Sequence, residues 1–398
     1  MLPTADRALG AALAQLRRDN GWTLEQQAGI CAIPAPPFRE QARAADYRRR
    51  LAEFGIDALR IDSVGNVIGV RRGSGRGPLV VLSAHLDTVF PDGTDVTVRR
   101  DTTGGRVVLR GPGIGDDCRG LATVLAVVRA MHEARVRTGG DVLVVGTVGE
   151  EGAGNLRGVR ALFEGEYKGR IGYFISVDGT GFGATSGAVG SHRYRVTYSG
   201  PGGHSYGAFG MPNPMHAMGR AIATIADFTV PADPRTTFSV SVVKGGTSVN
   251  SIPAEAAFEI DMRSESTAAL TALDARFRAA IEGALRAERA RWPDSRVPLA
   301  MRLDTIGLRP AGTQPDSAHI VRVAVETARH LGFPITPIAS STDANVPIAL
   351  GIPAITLDAA GRGRGAHSLD ESYEDGPNGW LGPQWVALVV ATLAGVAR

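Results

Sequence analysis

The stretch Leu79-Val80-Val81-Leu82-Ser83-Ala84-His85-Leu86-Asp87-Thr88-Val89-Phe90 decides the fold of this chain. Its run of apolar and small residues after Gly77-Pro78 is typical of a strand covered on both faces. In such sheets the binding crevice lies outside the carboxyl ends of the strands, and a neutral imidazole there is a common metal ligand. We therefore expect His85 to bind a metal and Asp87 to orient its ring. A core strand with one satisfied histidine is the alternative interpretation.

Two further strands of this kind follow along the chain. Asp141–Val148 ends in Gly149-Glu150-Glu151-Gly152, and Ile171–Val177 ends in Asp178-Gly179, with a helix between each pair of strands. This order predicts an α/β fold in which a mainly parallel sheet is sandwiched by helices, with its site at the strand ends.

The middle of the chain has a different pattern. From about 191 to 304 the strands alternate polar and apolar residues, which predicts an antiparallel sheet covered by helices on one face. The α/β pattern then returns. We therefore expect a catalytic domain over 1–188 and 306–398, with an inserted α+β domain over 189–305.

Near the N-terminus, apolar spacing predicts helices over 4–19, 23–32 and 39–54. Thr23 and Gln26 are spaced as a capping box at the start of the second helix. Residues 94–110 are predicted to form a polar hairpin.

Composition excludes several classes of protein. The 398 residues are 43% hydrophobic and 21% charged, as in ordinary globular proteins, and this length predicts two or three domains. The net charge of +3, without a basic block interleaved with aromatics, disfavours a nucleic-acid partner. No apolar run is long enough to span a bilayer, and we expect no secretory signal. With only Cys31 and Cys118, the chain has no disulfide framework, which favours a cytoplasmic location.

Seven residues that suit metal chemistry stand near the ends of the predicted strands or in the loops beside them. They are His85, Asp87, Asp116, Glu150, Glu151, Asp178 and His367. Five carboxylates in one crevice would repel unless cations neutralised them. Histidine with carboxylates suits zinc, with manganese or cobalt as less favoured occupants. Two metals with about three ligands each need one shared carboxylate, which leaves another carboxylate to act as general base.

Glu150 and Glu151 fit this division, because neighbouring side chains past a strand end can point in different directions. One would bind a metal, and the other would take a proton from the metal-activated water and pass it to the leaving amine. Taken singly, Glu150-Glu151 and Asp178-Gly179 could be turns, and Asp116-Asp117 a helix N-cap. Their joint placement favours a site. The glycine-rich loop 111–120 lacks the Lys-Ser/Thr ending of a phosphate-binding loop.

The chain resembles the co-catalytic zinc exopeptidases and deacylases that include carboxypeptidase G, peptidase T, aminoacylase and acetylornithine deacetylase. The matching motifs occur in the family's order and cover nearly the whole chain. They are Ala84-His85-Leu86-Asp87-Thr88-Val89, Gly111-Pro112-Gly113 with Asp116-Asp117, Gly149-Glu150-Glu151-Gly152, Val177-Asp178-Gly179, Gly202-Gly203-His204-Ser205 and Ala366-His367-Ser368.

The resemblance implies a specific ligand arrangement. One metal would be held by His85, Asp116 and Asp178, and the other by Asp116, Glu151 and His367. Asp116 would bridge the two metals, with Asp117 as the competing choice. The resemblance also gives Glu150 the role of base and Asp87 that of orienting His85.

The resemblance further implies a homodimer formed through the inserted domain. His204 would reach the neighbouring subunit's active site and stabilise the oxyanion. Asn250 and Arg263 resemble substrate-binding positions, and Arg263 suits a substrate carboxylate because its guanidinium can bind in two-pronged fashion. A structural ion pair is the alternative interpretation of Arg263. Many relatives have Lys where this chain has Cys118, whose role as a ligand is not favoured.

The predicted function is a dinuclear zinc exopeptidase that hydrolyses an amide bond of a small peptide. Residues 340–347 resemble the peptidase T branch, and their hydroxyls could bind a substrate carboxylate or carbonyl. The alternatives are an N-acyl-amino-acid deacylase and, more remotely, a metal-binding protein that has lost catalysis. The chain has no Gly-x-Ser-x-Gly elbow, which disfavours a serine mechanism.

Overall fold

The computed structural model describes residues 2–103 and 106–397, and the chain divides into two compact units. Unit 1 contains the chain up to Ala188 and from Thr313 onward, and unit 2 is Val189–Gly312. The second boundary lies after 312 rather than after 305, because a strand over Ala300–Arg309 pairs with Gly190–Ser199 within unit 2.

Unit 1 contains an eight-stranded sheet, a four-stranded sheet and most of the helices. The strands of the large sheet are β1 Asp57–Ile61, β2 Val67–Arg71, β3 Leu79–His85, β6 Val142–Thr147, β7 Ile171–Val177, β8 Ala184–Ala188, β15 Ile338–Ser340 and β16 Ala354–Leu357. Those of the small sheet are β4 Arg99–Thr103, β5 Arg106–Arg110, β17 Arg362–Arg364 and β18 Ser372–Glu374. The helices are α1 Arg7–Arg18, α2 Asn20–Cys31, α3 Gln41–Leu51, α4 Cys118–Glu133, α5 Arg157–Glu164, α8 His319–His330, α9 Asn345–Ala349 and α10 Leu381–Ala394, with 3-10 turns at Ala52–Phe54 and Gly152–Gly154.

The large sheet has the strand order β1-β2-β6-β3-β7-β16-β8-β15. Its four central strands, from β6 to β16, are parallel, and antiparallel pairs occur only towards its edges. The predicted α/β fold with a mainly parallel sheet is confirmed. The three strands predicted to carry the site, β6, β3 and β7, are direct neighbours.

The packing of the core explains why the sequences of these strands are apolar at consecutive positions. In β3, Val80 and Leu82 pack with α4 and α10 on one face, and Val81 packs with α5 and α9 on the other. All six residues of β6 are buried. A strand covered on both faces must be apolar at every position, and each fully buried valine or leucine contributes about 1.5–3 kcal/mol.

Unit 2 is the predicted α+β arrangement. A four-stranded antiparallel sheet, in the order β11-β13-β9-β14, is formed by β9 Gly190–Ser199, β11 Thr236–Gly245, β13 Glu255–Ser264 and β14 Ala300–Arg309. Two helices, α6 Pro214–Ala226 and α7 Thr267–Arg291, pack on the face that buries alternate residues of β9 and β13. A short ladder joins β10 Gly203–His204 to β12 Ser251–Ile252.

Two local predictions have different outcomes. The hairpin over 94–110 is present as the antiparallel pair β4 and β5, and residues 104–105 lie outside the described part of the chain. The capping box at Thr23 is wrong, because α2 starts at Asn20 and buries Thr23 inside the helix. None of the described helices is long and apolar enough to cross a bilayer.

Candidate active site and metal centre

The site begins at the carboxyl ends of β3, β6 and β7. His85 is the last residue of β3, Glu150 and Glu151 follow β6, and Asp178 is the first residue after β7. Because these strands are parallel neighbours, their ends meet at one edge of the sheet. His85, Glu150 and Glu151 are all buried there.

Asp116 and His367 enter this edge from loops. Oδ1 of Asp116 lies 3.0 Å from Nε2 of His85, and Oδ2 lies 3.0 Å from Nε2 of His367. The same ring nitrogen of His367 lies 3.0 Å from Oε1 of Glu151, and Nε2 of His85 lies 3.9 Å from Oδ1 of Asp178. The two oxygens of Asp116 therefore face two different histidines.

These residues form two donor sets that share Asp116. The first is His85, Asp116 and Asp178, and the second is Asp116, Glu151 and His367, with the ligand atoms of each set within 4.8 Å of one another. Glu150 belongs to a third grouping, with His85 and Glu151. Nitrogen and carboxylate donors in threes suit zinc and similar divalent cations, so the residues fit two metals with a shared carboxylate.

The ring of His85 is oriented by a main-chain group. Its Nδ1 lies 3.0 Å from the carbonyl oxygen of Asp87, which favours the tautomer with the proton on Nδ1 and leaves Nε2 for a metal. The Asp87 carboxylate, which was predicted to orient the ring, lies farther away, with Oδ1 3.8 Å from Nδ1. The Asp87 carboxylate instead accepts the amide N–H groups of Glu150, at 3.1 Å, and Glu151, at 2.8 Å.

Asp117 is the residue that competed with Asp116 as the bridge. It is fully buried, and its oxygens accept the amide N–H of His85, at 2.9 Å, and that of Gly120, at 3.0 Å. The second bond caps the N-terminus of α4. The carboxylate of Asp117 therefore binds main-chain groups, and the one of Asp116 faces the two imidazoles.

Glu371 is a residue of the site that the sequence did not reveal. Only 1% exposed, it accepts the N–H of Gly113 through Oε2, at 2.9 Å. Its Oε1 accepts the N–H groups of Gly115 and Asp116, at 2.7 and 3.0 Å. Glu371 thereby fixes the loop that carries Asp116. Its spacing of four residues from His367 was the only signal in the sequence.

Three carboxylates thus share one role, and we refer to Asp87, Asp117 and Glu371 as the amide-bound carboxylates. Each is buried and accepts main-chain N–H groups from a segment that carries a donor residue. Hydrogen bonds from main-chain amides favour the charged form of these groups, but burial outweighs them and raises the pKa of both Asp117 and Glu371. Such outer contacts hold the donor residues in place.

The donor residues change one another's pKa values. Hydrogen bonds to Asp116 and Glu151 raise the pKa of His367 to about 10. Burial raises the pKa of Asp178 to about 7, against the opposing effect of His85. Burial alone would raise the pKa of Asp116, but the two histidine rings outweigh it and hold that pKa well below its usual range. Without a cation, the site therefore retains protons that a metal would displace.

Cys118, at the start of α4, is buried and belongs to none of the donor sets found among the described residues. The hydroxyls predicted over 340–347 are partly internal. Thr342 is buried with its hydroxyl 2.7 Å from that of Thr356, and Asp343 accepts the hydroxyl of Thr147 at 2.6 Å. Packing within unit 1 therefore accounts for both side chains.

The three predicted substrate-binding residues lie in unit 2. His204 is exposed on β10, next to Asn250, whose carbonyl accepts the N–H of Ser205 at 2.9 Å. Arg263 lies on β13, and its Nε donates to Oδ2 of Asp261 at 2.8 Å. The structure therefore brings His204 and Asn250 together, and it gives Arg263 the ion pair that was its alternative interpretation.

Comparisons with known proteins identify the family of this chain. The family model for peptidase family M20/M25/M40 matches residues 81–379. The protein named LysW-lysine/LysW-ornithine hydrolase in Pyrococcus abyssi (strain GE5 / Orsay) is 36% identical over 135 residues, which cover 33% of this chain and only 34% of that relative.

Two solved structures share the fold. A tripeptidase from Staphylococcus aureus subsp. aureus mu50 has a TM-score of 0.72 at 18% identity, covering 94% of this chain and 98% of that one. The YXEP protein of Bacillus subtilis, described as a dinuclear metal-binding peptidase from the M20 family, has a TM-score of 0.65 at 17% identity, covering 95% and 99%.

Proposed function

The chain belongs to peptidase family M20/M25/M40, and from that premise we propose that it is a dinuclear metal-dependent exopeptidase acting on small peptides. Membership of this family supports the hydrolysis of amide bonds. One observation supports the dinuclear site most strongly: the two oxygens of Asp116 lie 3.0 Å from Nε2 of His85 and 3.0 Å from Nε2 of His367. A single carboxylate that faces two imidazoles fits a pair of cations that share one ligand.

In this proposal His85, Asp116 and Asp178 hold one cation, and Asp116, Glu151 and His367 hold the other. Zinc is the favoured metal because the donors are imidazole and carboxylate, and manganese or cobalt would also fit. When bound, the cations polarise the substrate carbonyl and lower the pKa of the attacking water.

Glu150 is the proposed general base. It is buried at the end of β6, beside the donor residue Glu151, and lies outside the two sets that share Asp116. The Asp87 carboxylate accepts hydrogen bonds from the main-chain N–H groups of both glutamates, and it thereby fixes the main chain from which the two side chains extend. Glu150 would take the proton from the attacking water and deliver it to the nitrogen of the leaving amine.

An N-acyl-amino-acid deacylase is the second candidate. The preference for a peptidase rested on the resemblance of residues 340–347 to the peptidase T branch. Of the three hydroxyls in that stretch, the one of Thr342 is buried against Thr356 and is not available to a substrate. The same donors and the same base would serve either substrate, because both reactions attack an amide carbonyl.

We also propose that the protein is a cytoplasmic homodimer formed through unit 2. Its sheet ends in the edge strands β11 and β14, which can pair with or pack on a second copy. His204 would then serve the partner's site. Mixing His204→Ala with Glu150→Ala should restore activity if His204 acts across subunits, and no recovery would contradict that role. Both cysteines are thiols, as a reducing compartment favours.

Metal content and turnover test the main proposal together. We expect about two metals per chain in protein purified without chelators, with chelator-sensitive hydrolysis of a di- and tripeptide library. Two metals with cleavage only of N-acyl amino acids would favour the deacylase. Two metals without any cleavage would favour a non-catalytic protein, and no metal after addition of zinc, manganese or cobalt would contradict the site itself.

A further inference from the structure

A cavity of about 290 Å³ within unit 1 adjoins the metal donors. Asp116 forms part of its wall, together with Gly179 and Thr180 after β7 and residues 363–366 before His367. The cavity therefore lies between the segments that carry three of the donor residues. Its volume is at the lower end of the range for small-molecule sites.

Glycines keep this cavity open. A Cβ on Gly363 would lie 2.4 Å from Oγ1 of Thr180, and one on Gly115 would lie 3.1 Å from Oε1 of Glu371. The Thr180 hydroxyl accepts the N–H of Gly363 at 2.9 Å, which holds the two sides of the cavity together. Side chains at these glycines would displace the groups that shape the wall.

Arg364 is the cation that lines the cavity. It is exposed at the end of β17, whose pairing with β18 fixes the main chain of Arg364 opposite Ser372. No carboxylate of the described residues forms an ion pair with Arg364. The two acids in the wall are otherwise engaged: Asp116 by its histidines and Glu371 by three amides.

Arg263 and Arg364 differ in whether a carboxylate of the protein pairs with them. Arg263 was the predicted partner of a substrate carboxylate, and Nε of its guanidinium pairs with Asp261. Arg364 has no such partner in the part of the chain that the structure describes, and it stands beside the donors. A guanidinium binds carboxylate with strong, directional hydrogen bonds.

We propose that this cavity is the subsite for an anionic group of the substrate, and that Arg364 supplies its counter-charge. The substrate class is then a small amide with a carboxylate close to the scissile bond, carried either by the C-terminus or by a side chain. This inference rests on the proposed function, because it takes the group bound in the cavity to be part of the amide that is cleaved.

The test compares acids with their neutral amides. N-acetylalanine, N-acetylalaninamide and N-acetylaspartic acid α-amide would be titrated calorimetrically into zinc-loaded Glu150→Gln protein, whose low turnover permits a binding measurement. Hydrolysis of alanyl-alanine and alanyl-alaninamide by the parent protein gives kcat and KM. The aspartic acid derivative distinguishes a side-chain carboxylate from a terminal one.

We expect an acid to bind about 10- to 100-fold more tightly than its neutral amide, and Arg364→Gln to abolish that preference. The loss in turnover should be mainly in KM, and Arg364→Lys should recover part of it. Arg362→Gln is the matched control, because Arg362 lies on the same strand, is exposed and does not line the cavity. It should leave the preference unchanged.

Two results would overturn the inference: no preference for acids in the parent protein, or a preference that survives Arg364→Gln. A failure of the proposed function can be distinguished from both of these results. In that case no amide is hydrolysed, but the calorimetric preference for the acid and its loss in Arg364→Gln remain.

Discussion

Two groups of carboxylates at the same edge of the sheet have different partners. Asp116, Glu151 and Asp178 face imidazole nitrogens, whereas the amide-bound carboxylates Asp87, Asp117 and Glu371 accept main-chain N–H groups. Residue type alone does not separate the groups, and the amide-bound carboxylates are the more deeply buried. Their partners differ as well: main-chain amides occupy the amide-bound carboxylates, whereas carboxylates crowded around two histidines suit exchangeable cations.

The adjacent pair Asp116 and Asp117 gives the largest expected contrast. Asp116→Asn should remove metal from both donor sets and lower kcat/KM by about 10⁴-fold or more, because the shared ligand is lost. Asp117→Asn should keep two metals per chain, but it should lower the free energy of unfolding by about 1–3 kcal/mol, since one amide loses its acceptor. Metal analysis and denaturant unfolding measure these effects. Equal metal loss in both variants would remove the distinction between the groups.

The next contrast is between neighbouring glutamates. Glu150→Gln should lower kcat by about 10²- to 10⁴-fold with metal content unchanged, because the base is lost and the ligands remain. Glu151→Gln should lose one metal per chain, because it belongs to the second donor set. Steady-state kinetics with metal analysis separates the two. Near-normal turnover of Glu150→Gln would exclude it as the base.

A substitution of Glu371 tests whether the hydrogen bonds that fix the Asp116 loop affect metal binding by the donor residues. Glu371→Gln turns an NH₂ group towards amide donors, so it should weaken metal affinity by about 10- to 100-fold. Competition with a chelating dye would measure the affinity. Glu374→Gln, three residues further on, is the control and should have no such effect. An unchanged affinity in Glu371→Gln would mean that Asp116 keeps its position without this support.

The smallest expected effect concerns pH. His367, with a pKa of about 10, and Asp178, with a pKa of about 7, hold protons in the metal-free protein that their unfolded forms release at lower pH. Their contribution to folding stability therefore falls as pH rises, from about 4 to 7 for Asp178 and from about 6.5 to 10 for His367. Metal binding displaces these protons, so metal affinity should rise over the same range.

Calorimetry in buffers of different ionisation enthalpy would count the protons released on metal binding. His367→Ala should release fewer protons than the parent protein at pH 8. Metal affinity that does not change between pH 6 and 9 would contradict this protonation scheme.

The strands and the residues directly at their ends were predictable because their signals are local, whereas the division of the donors into two sets, with Asp116 and His367 from loops, followed from the family resemblance. The apolar run of β3 leads to His85 within seven residues, and β7 leads directly to Asp178. The parallel order then places those ends together. Helix starts were less reliable: the capping pattern at Thr23 is local too, but packing buries Thr23 within α2.

The role of Glu371 was beyond the reach of a local pattern. Glu371 binds the N–H groups of Gly113 and Asp116, more than 250 positions away in the chain. Main-chain donors leave no residue-type signature, so no motif links the two segments. The engagement of Arg263 by Asp261 and the availability of Arg364 likewise depend on pairing in the folded chain.

Anomalous diffraction from crystals of the zinc-loaded protein, recorded at the zinc edge, tests the central claim most directly. We expect two peaks about 3.5–4 Å apart, each about 2 Å from one oxygen of Asp116, with His85 ligating one and His367 the other. A single peak, or a pair bridged by Asp117, would contradict it.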